Sequence, residues 1–296
     1  MRVFVTGASG FVGSAIVKDL LTSGHQVLGL ARSDSSAQKI INAGARVHRG
    51  DLDDLASIQQ GAAGCDAVIH TGFNHDFSKF KANCEADRQV IGALAAVLKG
   101  SDRPLIITSG IGLINNGRIA TEDDAPPVSS DVMPRVATEE AATAAAAGGT
   151  KVYIVRLPPT THGEGDHGFV PMIINIAKTK GESAYIGEGK NPWPAVHRFD
   201  AAVLYRLIAE QQPQQQVYHA VAEEGIPFRT IAEAIGQGLH LPTSTKSGKD
   251  AEEHFGWFTH FASLGCPASS AKTRHTLGWQ PTQPTLLEDL KTASYF

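Results

Sequence analysis

The chain has 296 residues, a formal net charge of -4 at pH 7, 42% hydrophobic residues and 19% charged ones. That balance belongs to a soluble globular protein of one large or two closely joined domains. Its acidic charge is spread without basic runs and no apolar segment reaches the length of a membrane span, so neither nucleic acid nor a membrane is expected as partner. Cys65, Cys84 and Cys266 are odd in number and widely spaced, which reads as reduced thiols in a cytoplasmic protein. A first strand starting at residue 2 leaves no room for a signal peptide.

Residues 3–5 are apolar and run directly into Gly7, Gly10 and Gly13, after which an amphipathic stretch covers 11–21. The order strand, glycine turn, helix is what a dinucleotide-binding motif requires. Gly7 makes the tight turn, Gly10 admits the pyrophosphate and Gly13 lets the helix pack close to the strand. The helix start offers unpaired N–H groups to the phosphates. The expected contacts here are Thr6, Gly7, Ser9, Gly10, Phe11, Val12 and Gly13.

A second strand, 26–31, ends in Ala31-Arg32-Ser33, where an NAD-binding chain would place a carboxylate for the ribose 2′-hydroxyl. A guanidinium and a hydroxyl suit a 2′-phosphate instead, so NADP is the expected cofactor. A short helix is predicted over 37–43 and a strand over 45–48. Asp51 and Leu52 follow: Asp51 either accepts from the adenine amino group or caps the next helix, and Leu52 packs on the adenine ring. A strand over 65–70 ends in His70-Thr71-Gly72, facing the expected nicotinamide ribose. After a long helix, 80–98, a strand over 105–108 ends in Thr108-Ser109-Gly110.

Strands alternating with helices at this spacing predict an α/β fold with a doubly wound parallel sheet of the Rossmann type. In such sheets ligands lie beyond the carboxyl ends of the strands, where Gly7, Arg32, Asp51, Thr71 and Ser109 converge. Residues 115–133 read as loop, 135–147 as an alanine-rich helix packing closely on a neighbour, and 152–155 as a sixth strand. Residues 160–194, rich in Gly, Pro and His, read as an excursion containing one helix, 169–179. A helix over 198–211, a strand over 217–222, a helix over 231–239 and an aromatic amphipathic segment over 250–261 complete the pattern. The Rossmann domain is therefore assigned to 1–159 and 196–222, and a smaller discontinuous substrate-binding domain to 160–195 and 223–296.

The motif Thr6 to Gly13, the triplet Gly50-Asp51-Leu52, the serine after the fifth strand and Arg156-Leu157-Pro158-Pro159 belong together. With His162 to Asp166, Val196 to Asp200 and the closing Leu277-Gly278-Trp279-Gln280-Pro281, they resemble an extended short-chain dehydrogenase/reductase of the epimerase/dehydratase type over nearly the full length. The resemblance implies Leu157, Pro158 and Pro159 at the nicotinamide side, and a monomer or homodimer. Such enzymes carry a Tyr-x-x-x-Lys on the helix after the fifth strand, the tyrosine exchanging a proton and the lysine lowering its pKa. This chain has no tyrosine before Tyr153. Aligned on Glu139, Arg135 takes the lysine position and Asp131 the tyrosine position, with Ser109 or Gly110 at the serine.

Arg135 is a fixed cation that can hold the ribose and stabilise negative charge, but it is a poor proton donor. Ser109 and Thr71 can hydrogen-bond an oxyanion, whereas His162, His197 and Tyr185 are the candidate acids. The grouping of His162, Glu164, Asp166 and His167 within one loop is weak grounds for a metal, and none is expected. The expected function is an NADP-dependent oxidoreductase of the carbonyl reductase or alcohol dehydrogenase type, acting on a small molecule. The alternatives are a sugar-nucleotide epimerase or dehydratase and a non-catalytic NADP(H) sensor.

Overall fold

The computed structural model describes residues 1–292, 295 and 296. Strand β1 (Arg2–Thr6) leads through the glycine turn to helix α1 (Phe11–Thr22). The alternation continues with β2 (Gln26–Ala31), α2 (Asp34–Asn42), β3 (Arg46–Arg49), α3 (Leu55–Ala63) and β4 (Ala67–His70). Next come α4 (Phe80–Leu98), β5 (Leu105–Gly110), α5 (Ala137–Ala147) and β6 (Val152–Leu157). The chain leaves the sheet through β7 (Thr160–His162), α6 (Phe169–Lys180), β8 (Ser183–Ile186) and β9 (Pro192–His197). It returns as α7 (Arg198–Gln211) and β10 (Val217–His219). The last part contains β11 (Glu223–Pro227), α8 (Phe228–Leu239), β12 (Thr243–Lys246), α9 (Gly248–Phe255), α10 (Thr259–Ser263), α11 (Ala271–Leu277) and α12 (Leu286–Asp289).

Seven parallel strands form the main sheet in the order β10-β6-β5-β4-β1-β2-β3, the doubly wound arrangement. Side-chain alternation along β1 explains the two layers that cover it. Val3 and Val5 point to one face, into a core with Ile16 and Leu20 of α1 and Tyr205 and Ile208 of α7. Phe4 points to the other, among Ile58 of α3, Ile91 and Leu94 of α4, and Ala141 and Ala142 of α5. The alanines of α5 thus let it lie close to its neighbours. A Cβ on Gly61 of α3 would come within 2.4 Å of the Phe4 ring, so that helix also needs its small residue.

The smaller lobe has its own aromatic core, with Trp193, Phe228, Phe255 and Phe258 buried together. It also contains strands that the sequence reading missed. Residues 160–194 are not one loop with a helix: β11, β9 and β7 form a three-stranded sheet and β12 pairs with β8. These strands are three to six residues long and β9 carries Pro192 and Pro194, so no period-two pattern marks them. The segment 250–261 is not continuous either, because Gly256 adopts φ +55° and divides α9 from α10. The assignment of all of 223–296 to the smaller domain needs revision as well. Leu277 and Trp279 bury themselves in the core beside α1 and α7, with the Trp279 indole donating to the Asp200 carbonyl at 2.9 Å. Residues 293 and 294 of that stretch lie outside the described residues.

Candidate active site

The glycine turn is built for close approach. Gly7 has φ +68°, and a Cβ there would sit 2.7 Å from the Thr71 hydroxyl and 2.8 Å from the Gly72 nitrogen. A Cβ on Gly13 would come within 2.0 Å of the Gly7 carbonyl oxygen. Gly10 donates to the Gly7 carbonyl at 2.8 Å and begins α1 without a side-chain cap, leaving that helix end open to an anion. These residues fit a dinucleotide pyrophosphate: the cradle is one that any larger side chain would fill.

Along the strand ends, Arg32 is exposed and makes no hydrogen bond or ion pair among the described residues. Its neighbour Ser33 is already engaged, its hydroxyl capping α2 by accepting from Ser36 N at 3.2 Å. Asp51 does not cap α3; Asp54 does, accepting from Ser57 N at 3.0 Å, because α3 begins one residue after Asp54. Asp51 keeps only a 3.3 Å bond from Asp53 N, so most of its carboxylate is available. The side chain of Leu52 reaches the position of Gly72, 3.3 Å from where a Cβ would stand.

Behind β4 and β5 lies a buried polar chain. The Thr6 hydroxyl accepts from Gly72 N at 3.1 Å and pairs with His70 Nδ1 at 2.7 Å. His70 Nε2 lies 2.9 Å from Asp87 Oδ1. The other oxygen of Asp87 accepts from Arg135 Nη1 at 2.7 Å and from the Thr138 hydroxyl, and Arg135 Nη2 donates to the Thr108 carbonyl at 3.1 Å. Burial alone would raise the Asp87 pKa, but the His70 hydrogen bond, the Arg135 charge and Thr138 together hold it far below the ordinary carboxylate range. Asp87 is therefore a buried anion that fixes Arg135 at the carboxyl edge of the sheet, where the Phe73 ring lies 4.1 Å from its guanidinium carbon. Nothing in the sequence pattern pointed to Asp87, since a single acidic residue within a long helix carries no local signal.

Several expected site residues are tied up elsewhere. The Ser109 hydroxyl is buried and donates to Glu139 at 2.7 Å; Glu139 in turn takes two bonds from Arg156, so the hydroxyl is engaged within the protein. The Thr71 hydroxyl donates to the Thr6 carbonyl at 2.8 Å, and the His70 ring is enclosed rather than turned toward a ribose. His162 and His197 do come together, ring centroids 5.4 Å apart, but on a shared carboxylate. His162 Nδ1 is 2.6 Å from Asp289 Oδ2, and His197 caps α7 through Nδ1 while its Nε2 lies 3.8 Å from Asp289. Burial, reinforced by His162, lowers the His197 pKa. Tyr185 packs between Gly189 and Arg229 in the β8–β12 pair and makes no side-chain hydrogen bond to the strand ends. Leu157 ends β6 and Pro158 and Pro159 follow it, with Leu157 and Pro159 partly open.

Two further histidines, His75, which carried no signal in the sequence, and His167 of the loop after β7, are exposed. The His75 ring stands 5.1 Å from that of Phe73, and the His167 ring 5.8 Å from that of Phe11 in the glycine turn. All three cysteines are buried, and burial raises each thiol pKa, to about 11 for Cys84 and about 12 for Cys266. Among the described residues, no group of three His, Cys, Asp or Glu side chains is disposed to hold a metal, and no helix is long and apolar enough to cross a membrane.

A parallel sheet in this order, with a glycine cradle at its first turn, defines a Rossmann fold of the dinucleotide-binding type. The chain belongs to the NAD-dependent epimerase/dehydratase family, whose model matches residues 3–221. An uncharacterised protein of Schizosaccharomyces pombe is 49% identical to it, the alignment covering all of both chains. The 2-alkyl-3-oxoalkanoate reductase of Stenotrophomonas maltophilia is 30% identical over 83% of this chain and 78% of its own. Among solved structures, the dTDP-glucose 4,6-dehydratase DesIV of Streptomyces venezuelae, with NAD bound, superposes with a TM-score of 0.77 at 19% identity, over 98% of this chain and 94% of that one. At that identity the likeness shows the fold.

Proposed function

We propose that the protein is an NADP-dependent carbonyl reductase or alcohol dehydrogenase acting on a small molecule. The observation that carries this reading is Arg135, a cation anchored by Asp87 and by the Thr108 carbonyl in β5. A fixed cation at that place holds the cofactor ribose and lowers the energy of an alkoxide forming on the substrate, without reorganising during the reaction. Thr6, Gly7, Ser9, Gly10, Phe11, Val12 and Gly13 hold the pyrophosphate, Arg32 the 2′-phosphate, and Asp51 with Leu52 the adenine. Gly72, Leu157, Pro158 and Pro159 border the nicotinamide end, and Thr108 orients Arg135. The dinucleotide supplies hydride chemistry when bound, and the chain supplies orientation and charge.

The reductase activity named for the Stenotrophomonas relative supports a carbonyl substrate here. The experiment is consumption of NADPH and of NADH against a panel of aldehydes and ketones, with Arg135→Ala as control. Loss of turnover in that variant is expected. Tight NADPH binding without turnover on any carbonyl would overturn the enzyme reading in favour of a sensor.

A further inference from the structure

We propose that His75 is the acid–base residue of this site, taking over from another loop the proton exchange that the family resemblance assigns to a tyrosine. The inference rests on the carbonyl reductase reading above. Its ground is geometric. His75 follows β4 by five residues, and its ring is exposed and set edge-on to Phe73, whose own face covers Arg135. The ring therefore stands one aromatic layer away from the anchored cation.

Among the described residues, the other histidines and the tyrosines near this edge of the sheet are occupied. His70 is held between Thr6 and Asp87, and His162 and His197 share Asp289. The Tyr205 hydroxyl is buried against Thr108 at 2.7 Å, and that of Tyr295 lies 3.1 Å from Asp166 Oδ2. His75 and His167 are left, and His167 is anchored on Phe11 of the glycine turn, with Nδ1 facing the Gly165 carbonyl.

The groups that face His75 are Arg135 ahead of α5, Asp87 of α4 and His167 from the segment after β7. Though the residue is exposed, neighbouring protein withdraws part of the ring from water, and this, then Arg135 and His167, lowers its pKa from the ordinary histidine value; the Phe73 backbone and the Asp87 charge oppose this. A histidine so placed is a stronger acid when protonated, and at neutral pH it is mostly in the form that accepts a proton.

The balance of the step is simple. The carbonyl carbon gains a hydride from the reduced nicotinamide dinucleotide, the C=O π pair moves to oxygen, and that oxygen takes the proton from the His75 imidazolium. Neutral imidazole remains and is reprotonated from solvent, to which the ring is open. In the oxidative direction the neutral ring removes the alcohol proton.

Two measurements test this. In the protein without cofactor, NMR titration resolves the ring signals of the 12 histidines, and the one missing from His75→Gln is His75. Its midpoint should lie below about 6.5 and move upward in Arg135→Ala; a midpoint indifferent to Arg135 would overturn the proposal. In turnover, kcat/KM for carbonyl reduction should fall as pH rises through that midpoint. His75→Gln should lose the inflection and roughly 10²-fold in rate while still binding NADPH, and added imidazole should restore part of the rate in His75→Ala. If wild-type protein turns over and His75→Gln keeps the inflection, or if His167→Gln loses it instead, the role of His75 is refuted and the reductase reading stands. If wild-type protein turns over no carbonyl, the reductase reading falls and takes this inference with it.

Discussion

Arg135 and Asp87 stand 48 residues apart in the chain and meet at 2.7 Å, the guanidinium donating to a carboxylate that is otherwise shared by His70 and Thr138. The pair joins α4 to the segment just ahead of α5 and so fixes the position of the cation. Asp87→Asn keeps the shape but removes the charge that Arg135 requires. Breaking a buried pair from one side should cost about 3–5 kcal/mol, read as a lowered denaturation midpoint, together with weaker dinucleotide binding. Unchanged stability would mean that Arg135 finds solvent or another partner.

Gly13→Ala tests the cradle. Its methyl group would have to displace the Gly7 carbonyl, which stands 2.0 Å from the added atom. The expected result is loss of most dinucleotide affinity, followed by cofactor fluorescence, with an overpacking cost of about 1–3 kcal/mol. Retained affinity would show that the turn can open without losing its grip.

Arg32→Ala tests the choice of cofactor. Arg32 is exposed and unpaired among the described residues, so the substitution removes no structural bond. Affinity for NADPH should fall by about 1.5–3 kcal/mol, the scale of a hydrogen bond to a charged group, while NADH binding changes little. An equal loss for both cofactors would place the 2′-phosphate elsewhere.

Ser109→Ala separates the buried hydroxyl from the chemistry. The hydroxyl donates to Glu139, and Arg156 continues to hold both oxygens of that carboxylate after its removal. Stability should drop by about 1 kcal/mol with kcat nearly unchanged. A large loss of kcat at full stability would return Ser109 to the substrate.

Stability should also fall on mild acidification. Burial holds the His219 pKa below the ordinary value; the ring is enclosed, with Nδ1 at 2.8 Å from the Ser269 carbonyl and Nε2 at 3.3 Å from Arg156 Nη1. His197 is lowered too, chiefly by burial. In the folded protein these rings bind protons less readily than in the unfolded chain. Their contribution is complete above about pH 6.5, where both states are neutral, and is lost as pH falls below it toward the depressed folded values. Melting temperature measured between about pH 7.5 and 5 should decline, and His219→Gln should make the decline shallower.

The Rossmann half of the molecule was legible because its signals are local. An apolar run into Gly7, Gly10 and Gly13 has one structural solution, and β2, α4 and α7 fall where periodicity puts them. The small strands β7, β8 and β9 were not, since strands this short carry no period of their own and exist by pairing with distant segments.

The candidate site divides along the same line. Sequence by itself determined the glycine turn, whose lack of side chains is the property a dinucleotide site uses, and it pointed to Arg135 where the family resemblance has a lysine. Tertiary structure alone decided which side chains are free to act. Ser109, Thr71, His162 and His197 are plausible by type and position, yet each spends its polar atoms on a partner far away in sequence: Glu139, Thr6 or Asp289. Asp87 meets Arg135 only across the fold, and the Phe73 ring beside His75 meets Arg135 in the same way. A hydrogen bond or a desolvating wall depends on what folding brings near, and residue identity does not encode that neighbour.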